Sequence, residues 1–334
     1  MLTIKENFIE TIKGGHPDRF VKQFEYIEHI NDPILFHCGD DCEYEHQVTN
    51  DWGITFYWPT GAPGPMPRHD SGYKLLNDIS DWRDYIKAPD PHQFPESEWE
   101  EYIAIAEKID RKQKFVGSII GNGIFEKMHS FMGVENAMMC FYEEPEDTHD
   151  LIEYLTDWYL ECIPVQASHM HPDIVFQHDD WGSQKSLFFT PEIFEEFMLP
   201  AYEKMYACWR ENGAQVIVHH SDSYAAELVP YMIKMGVDVF QGAVSDNNIP
   251  ELLKKYEGKI SIHAGLDNGK FDCENWSKEA IYNELDKLFQ ETNGGKYLIP
   301  GLTQGAPGST YPGVYEYVDD AIELLSDKYF SEKK

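Results

Sequence analysis

The chain has few basic residues and no long apolar runs. Lys and Arg total 27 against 59 Asp and Glu, which gives a formal net charge of −32 with neutral histidines. A protein with this large negative net charge is repelled by the phosphate backbone of nucleic acids and by anionic lipid surfaces. The composition therefore argues against nucleic-acid binding and membrane-surface binding. No apolar run reaches the roughly 20 residues that a membrane-spanning helix needs.

Paired cysteines and a signal sequence are also missing. The six cysteines are spread over 334 residues without paired spacing, which predicts reduced thiols. The first residues carry acids and lack the apolar segment of a signal peptide, so we expect a cytoplasmic protein. Hydrophobic residues at 42% and aromatic residues at 14% suffice for a large core and exclude disorder.

Short apolar runs alternate with amphipathic helical patterns in the second half. Their β-branched content and lengths of about five residues predict buried strands. We predict five such strands there, at Asp173–Gln177, Gln215–His219, Val237–Gln241, Lys259–His263 and Tyr297–Pro300. Two more are predicted in the first half, at Ile34–Cys38 and Phe115–Ile120. This alternation is typical of parallel strands joined by right-handed helical crossovers.

A parallel sheet of this length either closes into a barrel or stays open. No G-x-G-x-x-G motif follows a strand, so the open dinucleotide-binding arrangement lacks its main signal. We therefore predict an α/β fold, a (β/α)8 TIM barrel that forms a single domain over residues 1–334, with one strand unrecognised. Residues 43–98 interrupt the alternation and are rich in aromatic residues, Pro and Gly, which predicts an insertion covering one mouth of the barrel.

Polar side chains follow several predicted strands at the point where each strand ends. These residues are His178, Asp179, Asp180, Trp181, His220, Asp222, Gln241, His263 and Gln304. In a parallel barrel the active site forms at the C-terminal ends of the strands. One histidine alone could simply bond to nearby backbone, but a group converging on one mouth predicts a functional site.

Four segments carry a family resemblance: Asp179–Gln184, Leu187–Glu192, Phe197–Tyr202 and Gly213–Asp222. Together they resemble the uroporphyrinogen decarboxylase superfamily, and most closely its corrinoid-dependent methyltransferase branch of the O-demethylase type. The resemblance implies a barrel enzyme that moves a methyl group from a small methylated, in particular methoxylated, molecule to the cobalt of a corrinoid (cobalamin). That corrinoid is carried on a partner protein. The resemblance also implies a homodimer.

Two departures from the family narrow the expected chemistry. Porphyrinogen decarboxylases have an arginine-rich N-terminal motif, whereas the corresponding His37–His46 is acidic and unsuited to a polyanionic substrate. The thiol methyltransferases hold zinc through an H-x-C motif and a later cysteine. Here the motif position has His220 and Asp222, and Gly301–Gln304 contains no cysteine. A thiol acceptor needs such sulfur ligands, so we expect a different methyl acceptor.

His220, Asp222 and Asp179 are therefore the predicted catalytic residues. His220, oriented by either acid, could protonate the departing oxygen of a methyl ether. Alternatively, His220 and Asp222 could hold a divalent metal as a Lewis acid, zinc first, with Glu126 or His263 as third ligand.

The substrate is expected to bind between aromatic and polar side chains at the same mouth. The predicted substrate-binding residues are Trp52, Trp58, Glu126, His178, Trp181, Gln241, His263 and Gln304. Each aromatic residue could equally belong to the core of the insertion.

Two other functions stay open at this point. A decarboxylase or lyase of a small carboxylic acid could use His220 and Asp222 without cobalt. It would need a cation for the substrate carboxylate, and Arg68 and Lys185 are the nearest candidates. The third possibility is a noncatalytic binder of a corrinoid or tetrapyrrole.

Overall fold

A parallel sheet at the centre of the molecule positions the polar strand ends. The computed structural model describes residues 1–40, 42–62, 64–70, 72–305 and 308–330. Its strands are β1 (Ile27–Ile30), β2 (Gln47–Thr49), β3 (Thr55–Tyr57), β4 (Met66–Pro67), β5 (Phe115–Ile120), β6 (Ile174–His178), β7 (Val216–His220), β8 (Val239–Gln241), β9 (Ser261–Leu266) and β10 (Leu298–Leu302). Seven of them pair in the order β1-β5-β6-β7-β8-β9-β10, and every pair is parallel.

Helices cover the sheet and connect its strands. They are α1 (Ile4–Lys13), α2 (Pro33–Cys38), α3 (Trp82–Tyr85), α4 (Glu96–Lys108), α5 (Ile124–Met132), α6 (Val134–Glu143), α7 (Pro145–Met170), α8 (Pro191–Ile193), α9 (Leu199–Glu211), α10 (Val229–Lys234), α11 (Ile249–Lys255), α12 (Asn268–Phe271), α13 (Lys278–Glu291) and α14 (Val314–Phe330). A π-helical turn, Phe194–Met198, joins α8 to α9. No helix in the described part of the chain is both long and apolar enough to cross a bilayer.

Six of the seven predicted strands are confirmed, but the one at Ile34–Cys38 is wrong, because this segment is helix α2. The carboxylate of Asp32 accepts a hydrogen bond from the backbone N–H of Leu35 at 2.9 Å. Pro33 occupies the first turn, where its missing N–H costs nothing. The strand that the sequence reading missed is β1, where Glu28 and His29 interrupt the apolar run.

The sheet is curled into a half-barrel, which is consistent with the predicted TIM-barrel-like fold, but the described residues do not include an eighth strand that closes the barrel. Within the described ranges, β1 pairs only with β5 and β10 only with β9. The segment before β1 bridges this gap through side chains. The carboxamide oxygen of Gln23 accepts from Leu302 N at 3.4 Å, and its nitrogen donates to Tyr315 O at 3.3 Å. Side-chain bonds thus replace the ladder that an eighth strand would form.

Residues 43–98 contain a small antiparallel sheet of β2, β3 and β4. Aromatic side chains of this segment pack on helices outside the sheet. Trp52, in the loop between β2 and β3, contacts Phe131 of α5 and Trp158 of α7. Trp82 likewise packs against Tyr154 of α7. The segment is therefore anchored by apolar burial against α5 and α7. Its predicted position over one mouth of the barrel stays a prediction.

Candidate active site

A cavity of about 860 Å³ lies at the C-terminal ends of the central strands. His178 from β6, His220 from β7 and Gln241 from β8 line it, and Gln304 follows β10 at its exposed rim. A second cavity of about 300 Å³ reaches His178 from the side of α2 and shares its lining residues His29 and Phe176 with the first. The volume of the first cavity is in the range of pockets that bind small molecules.

Two histidines and an aspartate meet at the wall of the cavity. His178, Asp180 and His220 each offer one ligand atom, and these three atoms lie within 4.8 Å of one another. The rings of His178 and His220 are 4.5 Å apart, edge to face. The Nε2 atom of His178 also lies 3.4 Å from Glu126 Oε1 and 3.7 Å from Asp180 Oδ2. We call His178, Asp180 and His220 the His-Asp-His cluster.

Buried carboxyl groups set the charge of this cluster. Burial lowers the pKa of His178, but the negative charges of Glu126 and Asp180 outweigh it and raise this pKa to about 10. Burial raises the pKa of Glu126, and burial with the neighbouring Asp180 raises the pKa of Asp222. Burial by itself would raise the pKa of Asp180. The hydrogen bond to His178 and the positive charge of that residue outweigh burial and hold this pKa below its ordinary value. The surroundings therefore stabilise positive charge on the cluster.

His220 is held by Gln241 and not, as predicted, by Asp222 or Asp179. The amide nitrogen of Gln241 donates to Thr303 O at 3.1 Å, so its oxygen faces His220 and accepts from Nδ1. In the neutral ring the Nε2 atom of His220 therefore carries no proton and presents its lone pair. Burial and the charge of His178 lower the pKa of His220 to about 4. In this structure the ring of His220 therefore offers an acceptor at Nε2, and its role as the acid stays a prediction.

Asp179 is fully buried and bonded on both carboxylate oxygens. Backbone N–H groups of Phe125 and Glu126, at the start of α5, donate to it at 3.1 and 2.9 Å. The Trp181 indole and the Tyr202 hydroxyl donate to the same group. Asp179 therefore fixes the N-terminus of α5, and with it Glu126, which gives it a positioning role, while its catalytic role stays a prediction.

Gly123 allows this close packing at the start of α5. A Cβ atom at this position would lie 2.4 Å from Asp179 Cβ and 2.4 Å from the Tyr202 hydroxyl oxygen. Only glycine fits between these groups without displacing them.

The fold and this geometry can be compared with known proteins. The family model described as uroporphyrinogen decarboxylase (URO-D) matches residues 74–312. The chain belongs to the uroporphyrinogen decarboxylase family. The predicted superfamily is thereby confirmed, and no curated protein matches the chain.

Two solved structures are similar to this family member. One is a methyltransferase from Methanosarcina mazei, with a TM-score of 0.64 and 13% identity, covering 99% of this chain and 100% of the other. The other is xylanase B from Clostridium stercorarium F9, with a TM-score of 0.37 and 12% identity, covering 91% and 89%. At such identities the first similarity supports the fold alone.

The cavity of this uroporphyrinogen decarboxylase family member is poor in cations. Lys114 is the single Lys or Arg among the described residues that line the larger cavity, and its ammonium donates to Glu28 at 2.9 Å. Four acids contribute to the lining: Glu25, Glu28, Asp272 and Asp319. This charge would repel a polyanionic porphyrinogen, as the acidic His37–His46 segment predicts.

The three tryptophans predicted to bind substrate do not line either cavity. Trp52 is 3% exposed and packs against α5 and α7. Trp58 donates its indole N–H to Ala62 O at 3.0 Å within the segment 43–98. Trp181 is fully buried and stacks on His219 with ring centroids 3.9 Å apart. Trp52 and Trp181 are thus enclosed by the core, whereas Trp58 is half-buried and packs against the core from outside. The substrate-binding role of the three tryptophans stays a prediction.

The aromatic wall of the larger cavity instead consists of Phe24, His29, Phe176 and Tyr315. The Phe176 ring lies 5.1 Å from His29 and 5.6 Å from His220. Its position could have been found from the sequence, because residues two apart in a strand share a face and Phe176 precedes His178 by two.

The remaining predicted residues lie at different depths. Gln241 and Gln304 line the cavity, and Glu126 lies against His178. His263 is fully buried beneath the cavity, with its Nδ1 atom 3.3 Å from the Tyr26 hydroxyl. Asp222 contacts Asp180 twice: its backbone N–H donates to Asp180 Oδ1 at 2.9 Å, and the two side chains are hydrogen-bonded to each other. His263 therefore does not line either of the two cavities in this structure.

We expect Trp52→Ala to lower the free energy of unfolding by about 3–5 kcal/mol, as is typical when a buried aromatic side chain is removed. Trp52 also lies 4.8 Å from the buried Lys127 ammonium, which would lose this cation–π contact. Urea denaturation followed by circular dichroism measures the loss. The loss in Trp52→Phe should be less than half of that in Trp52→Ala. An unchanged stability combined with weaker substrate binding would restore the substrate-binding role.

Proposed function

We propose that this protein transfers a methyl group from a small methylated, in particular methoxylated, molecule to the cobalt of a corrinoid carried on a partner protein. The observation that supports this most directly is the His-Asp-His cluster at the wall of a cation-poor cavity. The family membership and the methyltransferase with the similar fold are consistent with it.

The chemistry needs help at the departing heteroatom. An ether oxygen leaves as an anion, so positive charge close to it lowers the barrier. The cluster provides this charge, because Glu126 and Asp180 stabilise a cationic His178. His178, not His220, is then the group that can give a proton to the oxygen.

Binding and approach follow from the lining of the cavity. Phe176 and Phe24 offer apolar surface to the body of the donor, while Gln241 and Gln304 offer amide groups. When bound, a reduced corrinoid supplies the nucleophile for the methyl carbon. Because the partner carries that corrinoid, this chain needs only an opening, and exposed residues such as Gln304 and Ser309 border one.

The test is methylation of reduced cobalamin by the purified protein with a panel of methoxylated aromatic compounds and methylated amines. We expect a change in the corrinoid absorption spectrum with at least one methoxylated donor, and none without the protein. A panel without any spectral change, with the protein folded and the cobalamin shown to be reduced, would contradict the proposal.

A lyase acting on a small carboxylic acid finds less support. Its two candidate cations lie outside the cavity: Arg68 is bonded to Asp70 and Gln47, and the Lys185 ammonium donates to Asp246 at 3.1 Å. A noncatalytic binder would show no turnover, so the same assay separates it from the enzyme. The homodimer stays a prediction that sedimentation can test.

A further inference from the structure

We propose that the larger cavity takes a positively charged methyl donor, a methoxylated aromatic ring with a short ammonium side chain, whose ammonium lies between the carboxylates of Glu25 and Asp319. This substrate class rests on the proposed function, but the binding of such a molecule can be measured without corrinoid. Glu25 precedes β1 and Asp319 lies in α14, so two distant parts of the chain supply the two carboxylates.

A row of aromatic side chains leads from the His-Asp-His cluster to these two acids. The centroid of the Phe176 ring lies 5.6 Å from that of His220, and the centroid of the Phe24 ring lies 6.1 Å from that of Phe176. Glu25 follows Phe24 in the chain, and all of these residues line the same cavity. A benzene ring packed on Phe176 therefore places its methoxy group at the cluster and an aminoethyl chain at Phe24 and Glu25.

Each of the two acids keeps one carboxylate oxygen available to a ligand. Glu25 Oε1 accepts from the backbone N–H of Lys22 at 3.0 Å, and Asp319 Oδ1 accepts from the amide nitrogen of Gln23 at 3.1 Å. Among the described residues, no hydrogen-bond donor reaches Glu25 Oε2 or Asp319 Oδ2. An ammonium group has three N–H donors and no acceptor, so it matches a pair of such oxygens.

Both carboxyl groups are partly withdrawn from water, which favours a bound cation. Burial raises the pKa of Glu25 and that of Asp319. The negative charge of Asp319 adds to the effect of burial on the pKa of Glu25. A positive charge between the two groups stabilises the ionised form of each, so the binding of a cation offsets the cost of their burial.

Basic side chains of the chain do not fill this role. The charges of Arg19 and Lys22 act on Glu25, but neither residue lines the cavity. Arg19 donates to Asp18 at 2.6 Å. The Lys22 ammonium donates to Glu323. The place between the two carboxylates is therefore left to a cation from outside the chain.

Isothermal titration of the untagged full chain with three matched ligands, without cobalamin, tests the charge preference. The ligands are p-methoxyphenethylammonium, the neutral p-methoxyphenethyl alcohol and the anionic p-methoxyphenylpropionate. We expect the ammonium to bind at least about 10-fold more tightly than the alcohol, because a hydrogen bond to a charged group contributes about this factor or more. The propionate should bind more weakly than the alcohol, because the acids of the cavity repel it.

Two variants test the acid pair, and a third serves as the matched control. Asp319→Asn and Glu25→Gln keep the size of each side chain, and each should weaken binding of the ammonium by about 10-fold while binding of the alcohol stays within about twofold. Asp272 also lines the cavity, but its two carboxylate oxygens accept from the backbone N–H of Tyr311 at 2.7 Å and from the Asn268 amide at 3.4 Å. Asp272→Asn should therefore leave the binding of all three ligands within about twofold. Circular dichroism confirms that each variant is folded.

Three results would overturn this substrate class. One is an alcohol or propionate that binds as tightly as the ammonium, and another is the absence of binding of all three ligands to the folded chain. The third is equal affinity for the ammonium in Asp272→Asn and Asp319→Asn, which would remove the special role of the acid pair. Selective binding of the ammonium without methylation of cobalamin by any donor would contradict the proposed function alone. Methylation by neutral donors without any preference for the ammonium would contradict the cation site alone.

Discussion

Replacing His220 by alanine is expected to abolish methyl transfer, with a loss of at least about 10³-fold in kcat, the size seen when a group acting on the transition state is removed. His220 lines the cavity and presents its Nε2 atom beside His178 and Asp180. The measurement is the initial rate of corrinoid methylation at saturating donor.

Cys42→Ala is the matched control for this variant. Cys42 is 6% exposed, does not line the larger cavity, and its thiol contacts His46 O at 3.1 Å within the segment 43–98. We expect its rate to stay within about twofold of the unmodified protein, because substitutions away from the reacting groups change stability more than chemistry. Equal losses in both variants would mean that the rate reports folding and that His220 has no special role.

Replacing Asp179 by alanine is expected to lower the free energy of unfolding by about 3–5 kcal/mol, the range for breaking a buried charged network. The carboxylate accepts from two backbone N–H groups of α5, from Trp181 and from Tyr202. Alanine leaves these donors buried without acceptors, and each such donor costs about 1–3 kcal/mol. Urea unfolding monitored by circular dichroism measures the effect.

Asp246→Ala provides the comparison, because this exposed acid forms a surface ion pair with Lys185 at 3.1 Å. Its removal should change stability by less than about 1 kcal/mol. If Asp179→Ala is as stable as the parent but has lost methyl transfer, the aspartate acts in the reaction itself, and the positioning role inferred from its hydrogen bonds is wrong.

The strands that lie deepest in the molecule were predictable from the sequence. Parallel strands that are buried on both faces contain continuous apolar runs, as at Val216–Val218, and such runs are visible in the sequence without knowledge of the neighbouring strand. Strand β1 was not predicted because Glu28 and His29, which both border the cavity, interrupt its apolar residues. The segment Ile34–Cys38 was wrongly predicted as a strand because it is apolar. Its residues belong to a helix that is capped by Asp32.

The candidate site was predictable as a group but not in its internal roles. His178, Asp180, His220 and Gln241 follow neighbouring strands, so their meeting at one edge follows from parallel pairing. Which of them is an acid, a ligand or a support depends on hydrogen bonds between strands, such as that from His220 to Gln241. Spacing along the chain carries no information about such contacts.

The sequence by itself determined the class of the fold, the family and the edge at which the polar residues gather, because these depend on periodic burial and on local motifs. Only the tertiary structure decided that Asp179 is enclosed by four donors, that Trp52 packs against α7, and that Asp180 is aimed at His178. These outcomes depend on distances between residues far apart in the chain. The physical reason is that burial and hydrogen bonding by such distant neighbours set the charge and direction of each side chain.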